Sequence, residues 1–167
     1  MTIVAVLMED LVLVLLAWTM ALCAGLMAGI YAAFSGFIMR SFTTLDTACA
    51  IAAMNAINTV ILKSWFMPLF FGSTFIGLAM IIAGLWQWGE PTANGVIASG
   101  LIYVLGMFIV TVAGNVPLNN TLAKVNGDDE DAARIWALYL KQWTRWNTLR
   151  TMASLATLAI CIVVLSS

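Results

Sequence analysis

The chain has 167 residues, of which 63% are hydrophobic and only 9% are charged, whereas soluble domains carry about 25% charged residues. This composition excludes an ordinary soluble enzyme and indicates an integral membrane protein whose first partner is the lipid bilayer. The net charge of −1 gives no reason to expect a nucleic-acid partner. Because the chain has no histidine, metal centres held by imidazole are excluded, and we expect neither a metal nor a cofactor.

Four apolar stretches are long enough to cross a bilayer core about 30 Å thick, which takes roughly 20 helical residues. They lie at about 11–39, 65–88, 96–116 and 149–165. The sequence therefore predicts the all-α class, as a four-helix integral membrane bundle that forms one transmembrane domain over residues 1–167. The first stretch lacks the basic start of a secretory signal, so we expect it to stay in the mature protein.

The first span carries small residues at spacings of three and four, which places them on one side of a helix. These residues are Ala21, Gly25, Gly29, Ala33 and Gly36. In lipid, small side chains let helices approach closely, so we expect another helix against this side. The third span shows a weaker version of the pattern at Ser99 and Gly106.

Two elements, residues 40–64 and residues 117–148, connect the first span to the second and the third span to the fourth. All seven Lys and Arg residues lie in these elements or, for Arg150, just past the second one. Since Lys and Arg are enriched in cytoplasmic loops, we predict that both elements are cytoplasmic. The chain is then a multi-pass cell-membrane protein with both termini outside the cytoplasm.

Both cytoplasmic elements carry asparagines. In the first, Asp46 or Thr47 is placed to cap a helix, on which Asn55 and Asn58 share a face. The second begins in the stretch GNVPLNNTL, which holds Asn115, Asn119 and Asn120. We expect these amides to lie at similar depths at the cytoplasmic end of the bundle.

The last helix is expected to begin near Asp129 and to run into the membrane, since no proline or glycine interrupts it. One of its faces carries an aromatic stripe that ends in a charge, with Asn147 at the edge. The stripe consists of Ala132, Trp136, Tyr139, Trp143, Trp146 and Arg150. The bases Arg134, Lys141 and Arg145 lie on the opposite, wet side, so Arg150 is separated from them.

Two interpretations of Arg150 compete. Interfacial aromatic rings and an arginine that extends to the headgroups would explain a simple belt. The segregation of Arg150 favours instead an inward polar cluster with amide oxygens of Asn55, Asn115 and Asn119 as acceptors. Such a cluster would hold a flat apolar molecule and stabilise an oxyanion on it, although it lacks a convincing base. Polar contacts that only join helices are the alternative.

The chain resembles the anthrone oxygenase-like family of small four-span membrane proteins, most of whose members have no assigned function. The matching pieces are GLMAGIYAAFS at 25–35, AMNAINTVIL at 53–62, GNVPLNNTL at 114–122 and W-x-x-WN-x-x-R at 143–150. A few fungal members are associated with the oxidation of anthrones to anthraquinones by dioxygen. Thr148 stands where the family commonly has histidine after Trp-Asn, so the resemblance leaves enzyme activity open.

The resemblance implies a cofactor-independent oxygenase or oxidoreductase that acts on an anthrone or quinol-like aromatic. We predict that Arg150, Asn147 and Asn115 are its catalytic residues. We predict that the substrate is bound by Trp143, Trp146, Asn119, Tyr139 and Asn55. The alternative is a non-catalytic lipid-binding protein, or an accessory subunit with a membrane-protein partner, and a homo-oligomer is compatible with either function.

Overall fold

The computed structural model of the chain describes residues 3–166, with side chains from residue 11 onward, and this part is built from five helices. Helix α1 begins at Ile3 and is regular to Ala33, passes through a π-helical turn at Phe34–Ile38 and ends with Met39–Phe42. Helix α2 spans Thr47–Ile61, and α3 spans Phe66–Trp86.

Helix α4 covers Ala93–Leu122. It contains two π-helical turns, Val104–Ile109 and Thr111–Asn115, and its last segment is Val116–Leu122. Helix α5 covers Ala132–Ser166. No strand occurs in residues 3–166, which confirms the all-α class.

Four of these helices, α1, α3, α4 and α5, are long and apolar enough to cross a membrane. Helix α5 packs against α1 and α4, and α3 packs against the other sides of α1 and α4, so the four helices close into a ring. This arrangement confirms the predicted four-helix bundle. The shorter α2 packs against α5 and the last segment of α4, at the end of the bundle that carries the Lys and Arg residues.

The helix ends differ from the predicted spans in two places. Helix α1 continues past residue 39 to Phe42, and α4 runs from Ala93 to Leu122 instead of ending near residue 116. Pro117 therefore lies inside a continuous helix, where its ring would clash with the carbonyl of the preceding turn. The π-helical turn at Thr111–Asn115 widens the helix directly before Pro117, which accommodates the ring.

Glycines set the closest helix contacts. A Cβ added to Gly100 on α4 would lie 2.5 Å from the Gly77 carbonyl oxygen on α3, so the two backbones meet directly. On α4 and α5, a Cβ added to Gly106 would lie 2.5 Å from the Ala153 Cβ. Along the predicted small-residue side of α1, Gly25 faces Leu158, whereas Gly29 and Gly36 have no described neighbour within 4 Å of an added Cβ.

Candidate functional site

Arg150 turns into the bundle. Its side chain is only 5% exposed, and its Nη2 donates a hydrogen bond of 2.7 Å to Asn147 Oδ1. A second bond, of 3.2 Å, runs from Nη1 to the Thr111 hydroxyl on α4. The residue is thus held by protein acceptors inside the bundle, as predicted, and does not extend to the headgroups. The predicted acceptors were wrong, because Asn147 and Thr111 take the place of the amide oxygens of Asn55, Asn115 and Asn119.

Aromatic rings cover the guanidinium. Its Cζ lies 4.1 Å from the centroid of the Tyr31 ring on α1 and 5.4 Å from that of Trp143. A cation over an aromatic face is worth about 2 kcal/mol when both are shielded from water. These rings therefore offset part of the cost of burying a guanidinium, which stays protonated in proteins.

Asn147 fixes the acceptor that Arg150 uses. It is fully buried, and its Nδ2 donates hydrogen bonds to the Tyr31 carbonyl and to the Ser35 hydroxyl, each with a length of 2.7 Å. With both amide protons directed to α1, its Oδ1 is left to face Arg150. The π-helical turn at Phe34–Ile38, which contains Ser35, places the second of these acceptors.

Asn119 organises the aromatic side of the site. Its Oδ1 accepts hydrogen bonds from the Tyr139 hydroxyl at 2.8 Å and from Trp143 Nε1 at 2.9 Å. One turn earlier on α4, Asn115 Nδ2 donates a hydrogen bond of 3.2 Å to the Trp143 carbonyl. Trp143 is therefore held at both its ring and its backbone by asparagines of the stretch GNVPLNNTL.

A cavity of about 520 Å³ opens beside this cluster, and small-molecule sites typically measure about 300–1,000 Å³. Its wall combines apolar side chains with polar ones. Six of the predicted site residues line it, namely Arg150, Asn147, Asn115, Trp143, Asn119 and Asn55. Further lining residues include Tyr31, Phe34, Asn58, Phe66, Met67, Phe70 and Thr111.

Unpaired polar atoms concentrate at this cavity. Arg150 Nε, Asn115 Oδ1 and Asn55 Oδ1 are buried and have no hydrogen-bond partner among the described residues. Asn58 Nδ2 is likewise without a hydrogen bond, although it lies near the Tyr139 hydroxyl. Buried polar groups are nearly always paired, so these four atoms, which belong to residues of the cavity wall, leave hydrogen-bonding capacity that the protein does not use.

Two predicted substrate-binding residues lie outside the cavity wall. Trp146 is 42% exposed, and its ring lies against the backbone of Gly114. Tyr139 is buried, but it contacts Asn119 instead of the cavity. The buried face of α5 therefore continues from Trp143 through Asn147, and Trp146 lies to one side of it.

Thr148 lies behind Asn147, away from the cavity. It is exposed, and its hydroxyl donates a hydrogen bond of 2.9 Å to the Thr144 carbonyl. The same hydroxyl lies 3.0 Å from the Ser35 hydroxyl. A histidine side chain at position 148 would also leave the helix on the side that faces away from the cavity. Thr148, where the resemblance implies a histidine, thus belongs to the surface of α5 and not to the cavity wall.

Tyr31, Phe34 and Thr111 are among the residues of the site that sequence reasoning missed. Tyr31 and Phe34 lie in the quoted motif GLMAGIYAAFS, where their aromatic rings among small residues were the available signal. Thr111 is a polar residue in an otherwise apolar span, which in lipid indicates a contact inside the bundle.

Comparison with known proteins assigns the chain to a family. The sequence model of one family, described as anthrone oxygenase, matches residues 59–160. This range contains the site residues of α4 and α5, whereas Tyr31, Ser35 and Asn55 precede it. No curated protein and no solved structure matches the chain. Since the matched range covers more than half of the sequence, the chain belongs to the anthrone oxygenase family.

Proposed function

We propose that this protein is a cofactor-independent oxygenase that oxidises a flat, hydroxylated aromatic of the anthrone type. The observation that carries the proposal is Arg150, a buried guanidinium with an unpaired Nε at the wall of a largely apolar cavity. A fixed positive charge in a water-poor site stabilises an anion far more than it would in water. Membership of the family supplies the substrate class.

The chemistry needs dioxygen as its only co-reactant. The methylene of an anthrone loses a proton to water or hydroxide and leaves an anion whose charge rests largely on the ring oxygen. The anion passes one electron to dioxygen, and the resulting radical and superoxide join at the former methylene carbon. The peroxide takes up a proton, its O–O bond breaks, the remaining C–H proton leaves, and a ketone and one water are formed.

Each residue of the cluster has a distinct part in this scheme. Arg150 faces the oxyanion, and Asn147 orients Arg150 through the 2.7 Å hydrogen bond. Asn115 Oδ1 and Asn55 Oδ1 accept hydrogen bonds from ring hydroxyl groups. Trp143, held by Asn119, supplies a flat wall for the substrate ring.

The test is oxygen consumption by purified protein in lipid nanodiscs that are supplied with an emodin-type anthrone. Wild-type protein should exceed the protein-free rate, and Arg150→Met should lower the turnover number by about 100-fold, the usual effect of removing one oxyanion donor. Arg134→Gln is the matched control, because Arg134 is exposed and pairs with Asp131. Equal rates for wild type and Arg150→Met would contradict the proposal.

A second candidate function is binding without turnover, as a lipid-binding protein or an accessory subunit. It is favoured by the cavity wall, which contains no carboxylate and no imidazole among the described residues, so no side chain there is a ready general base. Mass spectrometry of small molecules retained through purification in mild detergent distinguishes the two. If an aromatic ligand is retained and is not oxidised by dioxygen, binding without turnover is supported. If a second membrane protein copurifies in a stoichiometric amount, the accessory subunit is supported.

We also propose that the end of the bundle that carries α2 faces the cytoplasm, because Lys and Arg collect there. Cys49 on α2 is exposed, whereas Cys161 is buried. A membrane-impermeant maleimide should therefore label Cys49 in inverted vesicles and not in intact cells, with Cys49→Ser as the control. Labelling in intact cells would reverse the assigned orientation.

A further inference from the structure

A second groove lies between α1 and α5, on the side of Ser35 that faces away from the cavity. Three cations line it: Arg40 from the last turn of α1, and Lys141 and Arg145 from α5. The groove is more open to its surroundings than the cavity beside Arg150. It belongs to the face of α5 that was expected to be wet.

The positive charge of this groove is not neutralised by the protein. Its lining contains no aspartate or glutamate. The ion pair found among the described residues joins Arg134 to Asp131 over 3.1 Å and lies elsewhere. Three cations gathered in one concave surface produce a field that attracts an anion.

Apolar surface adjoins the cations on both helices. Phe37 precedes Arg40 by three residues and is 62% exposed, and Leu149 follows Arg145 by four and is 46% exposed. Residues three or four apart share a side of a helix, so each of these arginines borders an exposed apolar side chain. The cations therefore lie at the depth where the membrane-facing surface gives way to polar surface, which is the depth of lipid headgroups.

We propose that this groove binds the phosphate headgroup of an anionic phospholipid, whose acyl chains lie along the surface of Phe37 and Leu149. A phosphodiester matches the guanidinium groups of Arg40 and Arg145, which donate in a planar fork. The bordering apolar surface favours a lipid over a soluble phosphate, because only the lipid covers that surface as well. This assignment is independent of the oxygenase chemistry.

The test uses the full chain in a non-ionic detergent. Native mass spectrometry compares the binding of phosphatidylglycerol and phosphatidylcholine with identical acyl chains. Each interfacial cation contributes about a fivefold preference for an anionic lipid, so the variant R40Q/K141Q/R145Q should lose affinity for phosphatidylglycerol by on the order of 100-fold. The control variant K63Q/K124Q/R134Q removes the same charge outside the groove and should retain the binding.

Three results would overturn the assignment. These are equal losses in both triple variants, no preference of the wild type for phosphatidylglycerol, or full displacement of the lipid by millimolar inorganic phosphate, which would indicate a site for a soluble anion. If the groove variant does not fold, judged by circular dichroism, the single variant Arg145→Gln should bind about fivefold more weakly. Unchanged binding by that variant would equally exclude the site.

Discussion

Asn147 and Arg150 lie on the same turn of α5, and the amide oxygen of the first accepts a 2.7 Å hydrogen bond from the guanidinium of the second. The same amide donates to α1 at the Tyr31 carbonyl and the Ser35 hydroxyl. A charge that would be costly inside a membrane protein is thereby tied to two helices through one neutral side chain.

We expect Asn147→Ala to lower the free energy of unfolding by about 2–3 kcal/mol, because the substitution removes the 2.7 Å acceptor of the buried guanidinium and the donor to the Tyr31 carbonyl and the Ser35 hydroxyl. Thermal unfolding in detergent, followed by circular dichroism, measures the effect. Asn94→Ala is the control: Asn94 is exposed near the start of α4, and such changes stay within about 0.5 kcal/mol. Similar shifts for both variants would mean that the hydrogen bonds of Asn147 contribute little.

Trp143 and Trp146 provide a matched pair for ligand binding. Trp143 lines the cavity and donates to Asn119, whereas Trp146 lies outside the wall. We expect Trp143→Phe to weaken the binding of an anthrone-type ligand by about tenfold, since it removes ring area and leaves the Asn119 oxygen one donor short. Equilibrium dialysis measures the affinity, and Trp146→Phe should leave it unchanged. A larger loss for Trp146→Phe would move the binding surface to the outside of α5.

The contact between α3 and α4 depends on the absence of a side chain at Gly100. In Gly100→Ala the new Cβ would meet the Gly77 carbonyl oxygen at 2.5 Å and Ile81 Cγ1 at 2.7 Å, and the backbone cannot give way as a flexible side chain would. We expect a loss of about 1–3 kcal/mol in the free energy of unfolding, measured by thermal unfolding. Gly72→Ala, where the added Cβ has open space, should be neutral or slightly stabilising.

The pH dependence of turnover tests the absence of a general base. The ionisable side chains that line the cavity are those of a tyrosine and an arginine, types that do not ordinarily titrate near neutral pH. If hydroxide removes the substrate proton, kcat/KM should rise by about tenfold per unit between about pH 6 and about pH 8. If kcat/KM reaches a plateau in this pH range, both in the wild type and in Arg150→Met, a base elsewhere in the protein removes the proton.

The sequence predicted the number of spans, and six of the eight predicted site residues line the cavity, because length and hydropathy determine what crosses a bilayer and because buried amides in lipid must find partners. Trp146 lies outside the cavity wall, and the reason is physical. In a soluble protein the larger apolar ring would be buried and the amide exposed, whereas a membrane-facing surface accepts tryptophan and leaves the interior to Asn147. Spacing alone does not choose between neighbouring positions on α5.

The π-helical turns lay beyond sequence reasoning. No residue type marks Phe34–Ile38 or Thr111–Asn115 as wider than the α-helix around them, yet Ser35, Thr111 and Asn115 lie on these turns and contact α5. The predicted third span ends near residue 116, whereas the helix continues through Pro117, because the widened turn that accommodates the proline is a tertiary feature. Ser35 and Thr111, which lie on such turns, were therefore missed.

The widened turn before Pro117 has a consequence for how the family can change. A π-helical turn carries one residue more than regular winding requires, so the loss of a single residue there would restore the α-helix and leave the residues after Pro117 close to their present orientation. Asn119 would keep facing Tyr139 and Trp143, whereas Pro117 would lose the widened turn that accommodates its ring. A one-residue deletion in this turn should therefore change the stability of α4 more than the set of amides that face the ligand.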